Sequence, residues 1–151
     1  MLNLALGGTL LFLLPCIKTK VRLASTMKRL SQRRVTMRLT DHIARLNQYM
    51  AGWLHYFAPA DMTRFLEGIE QGTRRRLRRS MWKRWKTVRT RYRNLRTLGL
   101  THTDAIKYAN TRKGYWRISG RMILTTTLTN QYFRELGLLA LVETYQRLRI
   151  T

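Results

Sequence analysis

The chain has 151 residues, and 30 Lys or Arg stand against 7 Asp or Glu, for a formal net charge of +23. Hydrophobic residues make up 44% of the sequence and aromatic residues 10%, which excludes a disordered basic tail. So large a charge repels itself in a compact state, and the composition therefore predicts a folded protein with a polyanionic partner.

The N-terminal segment, residues 1–16, is apolar and carries no charged side chain. It is shorter than the ~20 residues of a membrane helix. It also lacks the basic start and the small-residue cleavage site of a signal peptide. We expect a buried strand or helix remnant here, with a cryptic signal or an interfacial anchor as the alternative.

Two helices are predicted after this segment. Residues 18–34 alternate apolar and basic residues and read as a basic amphipathic helix. A second helix is expected to start at Asp41 and to carry an apolar stripe from Ile43 to Phe57. It should end before Pro59, because the residue preceding a proline is disfavoured in helical geometry.

A third helix is predicted over residues 62–86, with a break allowed at Gly68 and Gly72. At 100° per residue one face packs against the protein and the other is a basic strip. The packing face holds Leu66, Ile69, Leu77, Met81 and Trp85. The basic strip holds Arg75, Arg79, Trp82 and Lys86, and we expect its basic side chains to face solvent.

The spacing continues from Thr87 to Leu98, where Gly99 stands in a C-cap position. Thr101 and Asp104 match a capping-box start for a short helix through Ala109. Residues 113–117 read as a turn. Short helices are then expected over residues 121–128, 130–136 and 138–148.

These elements predict an all-α fold, a helical thumb-like bundle of about three longer helices followed by several short ones. We divide the chain into an N-terminal remnant, a helical domain and a basic helical extension, over residues 1–16, 17–86 and 87–151.

Enzymatic motifs are missing from the sequence. Asp41 and Asp104 sit at helix starts, where a carboxylate meets the helix dipole favourably, and Glu67 and Glu70 read as ordinary surface residues. No phosphate-binding glycine loop, nucleophile elbow or zinc-protease motif occurs. One cysteine and three scattered histidines give neither a disulfide nor zinc-ligand spacing. We expect no catalysis, no metal and no cofactor.

Residues 74–96 are the most informative part of the chain, since they hold twelve Arg or Lys, two Trp and one Tyr without any acidic residue. Basic side chains on phosphates release counterions, and aromatic rings stack on bases. Helix packing is the favoured role for Trp82 and Tyr92, while Tyr115 and Trp116 stand evenly between core and contact. The predicted RNA-binding residues are Arg74, Arg75, Arg76, Arg78, Arg79, Trp82, Lys83, Arg84, Lys86, Arg89, Arg91, Arg93, Lys113 and Arg117.

Four sequence blocks occur in an order that resembles the maturase-specific domain of group II intron reverse transcriptases. They are LNQYMAGWLHYF (46–57), RRRLRRSMWKRWKTVRTRYRNLRTLGL (74–100), KGYWRIS (113–119) and NQYFRELGLLALVETY (130–145). The resemblance implies a helical thumb-like domain that grips structured intron RNA and assists splicing. It also implies that Gly52 and Trp53 pack helices and that the arginine-rich block contacts RNA.

The polymerase palm of that family, with its Tyr-x-Asp-Asp motif, has no counterpart in this sequence. We therefore expect a truncated or split reading frame without polymerase chemistry. The expected partners are group II intron RNA and, as an open alternative, a DNA target, but no small-molecule substrate and no membrane. The expected location is the bacterial cytoplasm, associated with nucleic acid. The alternatives are a generic basic nucleic-acid binder, a cationic membrane-active protein and a non-functional relic.

Overall fold

The computed structural model describes residues 17–32, 37–57 and 61–150, and within these ranges it is all-α, as the sequence predicts. The predictions for residues 1–16 and for the helix end at Ala58-Pro59 lie outside the described residues. The described helices are α1 (Ile17–Leu30), α2 (Leu39–Phe57), α3 (Thr63–Arg84), α4 (Val88–Thr97), α5 (His102–Ala109), α6 (Tyr115–Ser119), α7 (Met122–Thr127), α8 (Asn130–Glu135) and α9 (Leu141–Ile150).

The three longer helices form as predicted from their apolar periodicity. The stripe of α2 is buried at Ile43, Leu46, Met50 and Leu54, whose spacing of three and four residues keeps them on one face. Asp41 lies in the first turn of α2, where its charge meets the helix dipole. The helix α3 is continuous through both of its glycines. Tertiary packing therefore outweighs the low helix propensity of glycine here.

The helix α3 lies at the centre of the molecule and packs against α1, α6 and α9. It buries the predicted apolar residues Leu66, Leu77 and Met81, but it also buries polar ones, including Thr73 and Ser80. None of residues 74–82 of this helix is exposed. This arrangement decides the surroundings of the arginine-rich block.

Trp82 packs inside the protein, which is the role that the sequence favours for it, although the helical wheel places it opposite the packing face of α3. Its side chain is only 1% exposed and belongs to the hydrophobic core. Trp85 lies against it edge to face, with 5.7 Å between ring centroids, and the guanidinium of Arg91 lies 4.8 Å from its ring centroid. A helical wheel describes α3 alone and leaves this side uncovered, whereas in the structure the following helix brings Arg91 over it.

The helices α4 and α5 form an antiparallel pair whose interior contains Leu95, Ala105 and Ala109. The predicted cap of α5 is confirmed, since the hydroxyl of Thr101 accepts a hydrogen bond from the backbone N–H of Asp104 at 3.3 Å. Gly99 ends the preceding helix with a φ of 91°, a left-handed conformation that favours glycine.

The C-terminal part differs from the prediction at one point, because Tyr115–Ser119 is a short helix and not a turn. Contacts with α3 hold this single helical turn in place. Farther along, the side chain of Asn47 donates to Gly137 O at 2.6 Å and accepts from Leu139 N at 2.9 Å. These hydrogen bonds attach the segment that precedes α9 to α2.

The last helix, α9, packs against α2 and α3. The Tyr145 hydroxyl is buried and accepts a hydrogen bond from Met62 N at 3.2 Å. Residues on both sides of position 86 therefore share one hydrophobic cluster. The division of the chain at that position stays a prediction.

In the described part of the chain, no helix has the length and apolarity required to cross a membrane.

Candidate nucleic-acid interface

The arginine-rich block divides into two groups with different surroundings. Its first part, on α3, is half-buried or buried against other helices. Its second part, at the end of α3 and on α4, is largely exposed. From the sequence alone, these two groups of basic residues cannot be told apart.

Arg78 joins α3 to the C-terminal helices directly, whereas Arg74 does so only through Glu70 of its own helix. Arg74 forms an ion pair with the buried carboxylate of Glu70, whose other oxygen accepts from Val142 N at 3.4 Å. Arg78 is 7% exposed and donates through Nε to Leu128 O at 3.0 Å. These two arginines are thus placed among protein groups, and their RNA contacts remain a prediction.

Burial also affects the protonation equilibria of this region. It lowers the pKa of Arg78, and the neighbouring charge of Arg74 lowers it further. Burial likewise lowers the pKa of Arg76, whose guanidinium lies near Gly72. Arginine keeps its proton in proteins, so both groups bring a full positive charge into a partly desolvated site.

Arg75 and Arg79 flank the indole of Trp116. The guanidinium carbon of Arg75 lies 4.1 Å from the centroid of this ring, and that of Arg79 lies 5.5 Å from it. Gly120 makes the closer stack possible, because a Cβ on this glycine would lie 2.9 Å from the Arg75 guanidinium. Both arginines are half-buried, which corrects the expectation that they face solvent freely.

The second group of basic residues is exposed. Lys83 and Arg84 occupy the last turn of α3, and Lys86 follows in the link to α4. Arg84 also donates to Met37 O at 2.7 Å. We call exposed basic surface the set formed by Lys83, Arg84, Lys86, Arg89 and Arg93.

The spacing within this surface suits a phosphate backbone. Arg89 and Arg93 stand one helical turn apart on α4, about 6 Å along its axis. Among the described ion pairs, none involves Lys83, Lys86, Arg89 or Arg93. Arg91 differs from them, since its Nε donates to Trp85 O at 3.0 Å and its guanidinium covers Trp82.

Lys113 and Arg117 are exposed at the two ends of a short stretch that contains Trp116. The indole of Trp116 is itself 45% exposed. From the sequence, this tryptophan stands evenly between core and contact, and it is not among the predicted RNA-binding residues. The signal that could have found it is its position in the sequence between Lys113 and Arg117.

Few carboxylates oppose these charges. Glu143 lies 3.1 Å from Arg134, and Asp61 lies 3.8 Å from Arg149, so both carboxylates are paired with arginines of the C-terminal helices. Among the residues that the structure describes, no three His, Cys, Asp or Glu residues are grouped as a metal site would require. The arrangement can attract a polyanion but offers no described constellation for metal chemistry.

Comparison with known proteins gives one family. The model of the group II intron maturase-specific domain matches residues 20–99, just over half of the chain. The match covers most of α1, all of α2, α3 and α4, and the basic residues of 74–96. A search of curated proteins returned no match to this chain.

Proposed function

The chain belongs to the group II intron maturase-specific domain family, and on that premise we propose that it binds group II intron RNA and stabilises the folded intron for splicing. Membership connects the chain with group II introns. The observation that carries the proposal further is the exposed basic surface, which lies within the matched residues.

Electrostatic capture is the mechanism that this surface supports. Each exposed Lys or Arg that reaches a phosphate releases condensed counterions, and the resulting affinity depends steeply on salt. Planar guanidinium groups such as those of Arg89 and Arg93 suit bidentate phosphate contacts. The buried and half-buried arginines of α3 serve this function indirectly, because they contact Trp116 in α6, Leu128 after α7 and Phe133 in α8 and so stabilise the fold.

The proposal includes no polymerase chemistry. Two-metal catalysis needs carboxylates that converge on ions about 4 Å apart. Here Glu70 and Glu143 form ion pairs with arginines, and the carboxylate of Asp104 accepts a hydrogen bond from the hydroxyl of Thr101 at 3.0 Å. These carboxylates have structural partners that account for their positions.

A competition experiment tests the proposal. The full chain is bound to a labelled group II intron RNA at near-physiological salt, with either the same RNA or an unrelated structured RNA of equal length as competitor. We expect the intron RNA to compete far better. Equal competition would reduce the function to generic nucleic-acid binding, and a group II target DNA tested as a further competitor separates the DNA alternative.

A further inference from the structure

We propose that the exposed ring of Trp116 is a stacking site for one unpaired nucleobase of the bound RNA. This inference rests on the proposed function and adds a specific contact to it. Its basis is the arrangement of Arg75, Trp116 and Gly120, together with the hollow beside the indole.

Two arginines lie over the indole. The guanidinium of Arg75 lies 4.1 Å from the ring centroid and is also close to Gly120, while that of Arg79 lies farther away, at 5.5 Å. Arg75 Nε is buried and has no hydrogen-bond partner among the described residues. The guanidinium is therefore positioned by stacking between the glycine and the indole, which makes a preformed platform.

Much of the indole nevertheless remains accessible. Trp116 is 45% exposed, whereas Trp82 is 1% exposed and the other two tryptophans are partly buried against the core. An indole with this exposure loses favourable apolar burial unless another flat group covers it. Aromatic stacking on a base would cover it.

The surroundings favour a nucleotide over a protein side chain as that group. The hollow beside the ring is lined by Arg79, Gly114, Tyr115, Trp116 and Arg117, and no carboxylate lines it. Arg117 can take the phosphate of a nucleotide whose base lies on the indole. Because Arg75 and Arg79 already place two cations over the ring, a neutral aromatic base suits its accessible surface better than a further cation.

The base must be unpaired. In a duplex each base is stacked on its neighbours, and proteins read single-stranded loops and bulges by stacking splayed-out bases on aromatic side chains. One platform with adjacent arginines fits one extruded base and its phosphate. A continuous duplex has no unstacked base to place on Trp116 and would contact only the neighbouring arginines.

The test uses two RNA hairpins of equal length, one with a single unpaired adenosine and one fully paired, bound to the full chain and to Trp116→Ala. Stacking of one base is worth about 1–3 kcal/mol by alanine substitution, which is about 5- to 140-fold in affinity. We expect that loss for the bulged hairpin alone. Tyr56→Ala is the matched control, since Tyr56 is an aromatic residue with 72% exposure on α2.

A second variant and a second signal keep the test independent of folding. Trp116→Leu keeps an apolar contact for Arg75 but removes the aromatic face, and it should lose the same preference. With 2-aminopurine at the bulge, stacking on Trp116 should quench its fluorescence in the wild type only.

Two results would overturn the inference while leaving the proposed function intact. One is unchanged affinity for the bulged hairpin in both variants, and the other is an equal loss for the bulged and paired hairpins. A wild-type chain that binds neither hairpin nor intron RNA would overturn both proposals.

Discussion

Neutralising the exposed basic surface should flatten the salt dependence of RNA binding. In the variant that we consider, four residues are replaced by Gln: Lys83, Lys86, Arg89 and Arg93. Each lost phosphate contact reduces the slope of log K against log salt by about 0.7 for single strands and about 0.9 for duplexes. If all four contact phosphate, the slope falls by about 2.8 to 3.6.

The corresponding affinities give a measurable difference. Between 50 and 200 mM salt, the wild type should lose about 50 to 150 times more affinity than the variant, because the salt concentration changes fourfold. Filter binding or fluorescence anisotropy over this range measures both slopes. Circular dichroism melting should show that the variant folds, since these four side chains are exposed.

The control removes the same charge from another part of the surface. It replaces four exposed basic residues of α1 and early α3 by Gln, namely Arg22, Lys28, Arg29 and Arg64. If only net charge matters, the two variants will show equal slopes. That outcome, or an unchanged slope in the first variant, would refute the assignment of phosphate contacts to this surface.

Three further predictions concern stability. Arg78→Met leaves the Leu128 carbonyl without its donor and should lower the free energy of unfolding by about 1–3 kcal/mol in urea titrations. Gly99→Ala should cost about 1 kcal/mol in the same assay, because φ is 91° there. The third prediction concerns His42, which donates through Nε2 to Leu30 O at 2.7 Å. Burial lowers the pKa of His42 below the ordinary 6.5, and the charges of Arg84 and Arg45 lower it further. The unfolded chain therefore takes up the proton first, and stability should fall as the pH decreases from 6.5 towards the lower folded pKa.

Each stability prediction has a contrary outcome. The Arg78 assignment fails if the Met variant unfolds at the wild-type urea concentration. For Gly99 the comparison is Gly52→Ala in α2, where an added Cβ meets nothing within 4 Å and should be neutral or stabilising; equal losses in the two variants would contradict the argument. For His42, a His42→Gln variant with the same pH dependence below 6.5 would show that other groups cause it.

Local signals in the sequence predicted much of the fold. The stripe of α2, the cap at Thr101 and the helix end at Gly99 depend on residues within a few positions of each other, so periodicity and capping rules reach them. The short helix at Tyr115 was missed because contacts with α3, not its own sequence, stabilise it.

The roles of individual arginines could not be predicted from the sequence. Arg78 and Lys83 both stand in the same basic block, yet one donates to a carbonyl 50 positions away and the other is exposed. The helical wheel places Trp82 opposite the packing face for the same reason, since Arg91 covers it only after the chain turns into α4. Long-range contacts decide which charges remain at the surface.

The scarcity of carboxylates gives the folded chain and its complex opposite responses to ionic strength. With a formal charge of +23 and few opposing groups, the free protein repels itself, and added salt screens that repulsion and stabilises the fold. The same salt weakens the bound state by removing the entropy gained from counterion release. At low ionic strength, bound RNA therefore acts as the protein's own counterion, and thermal stability measured without it will understate the stability of the complex.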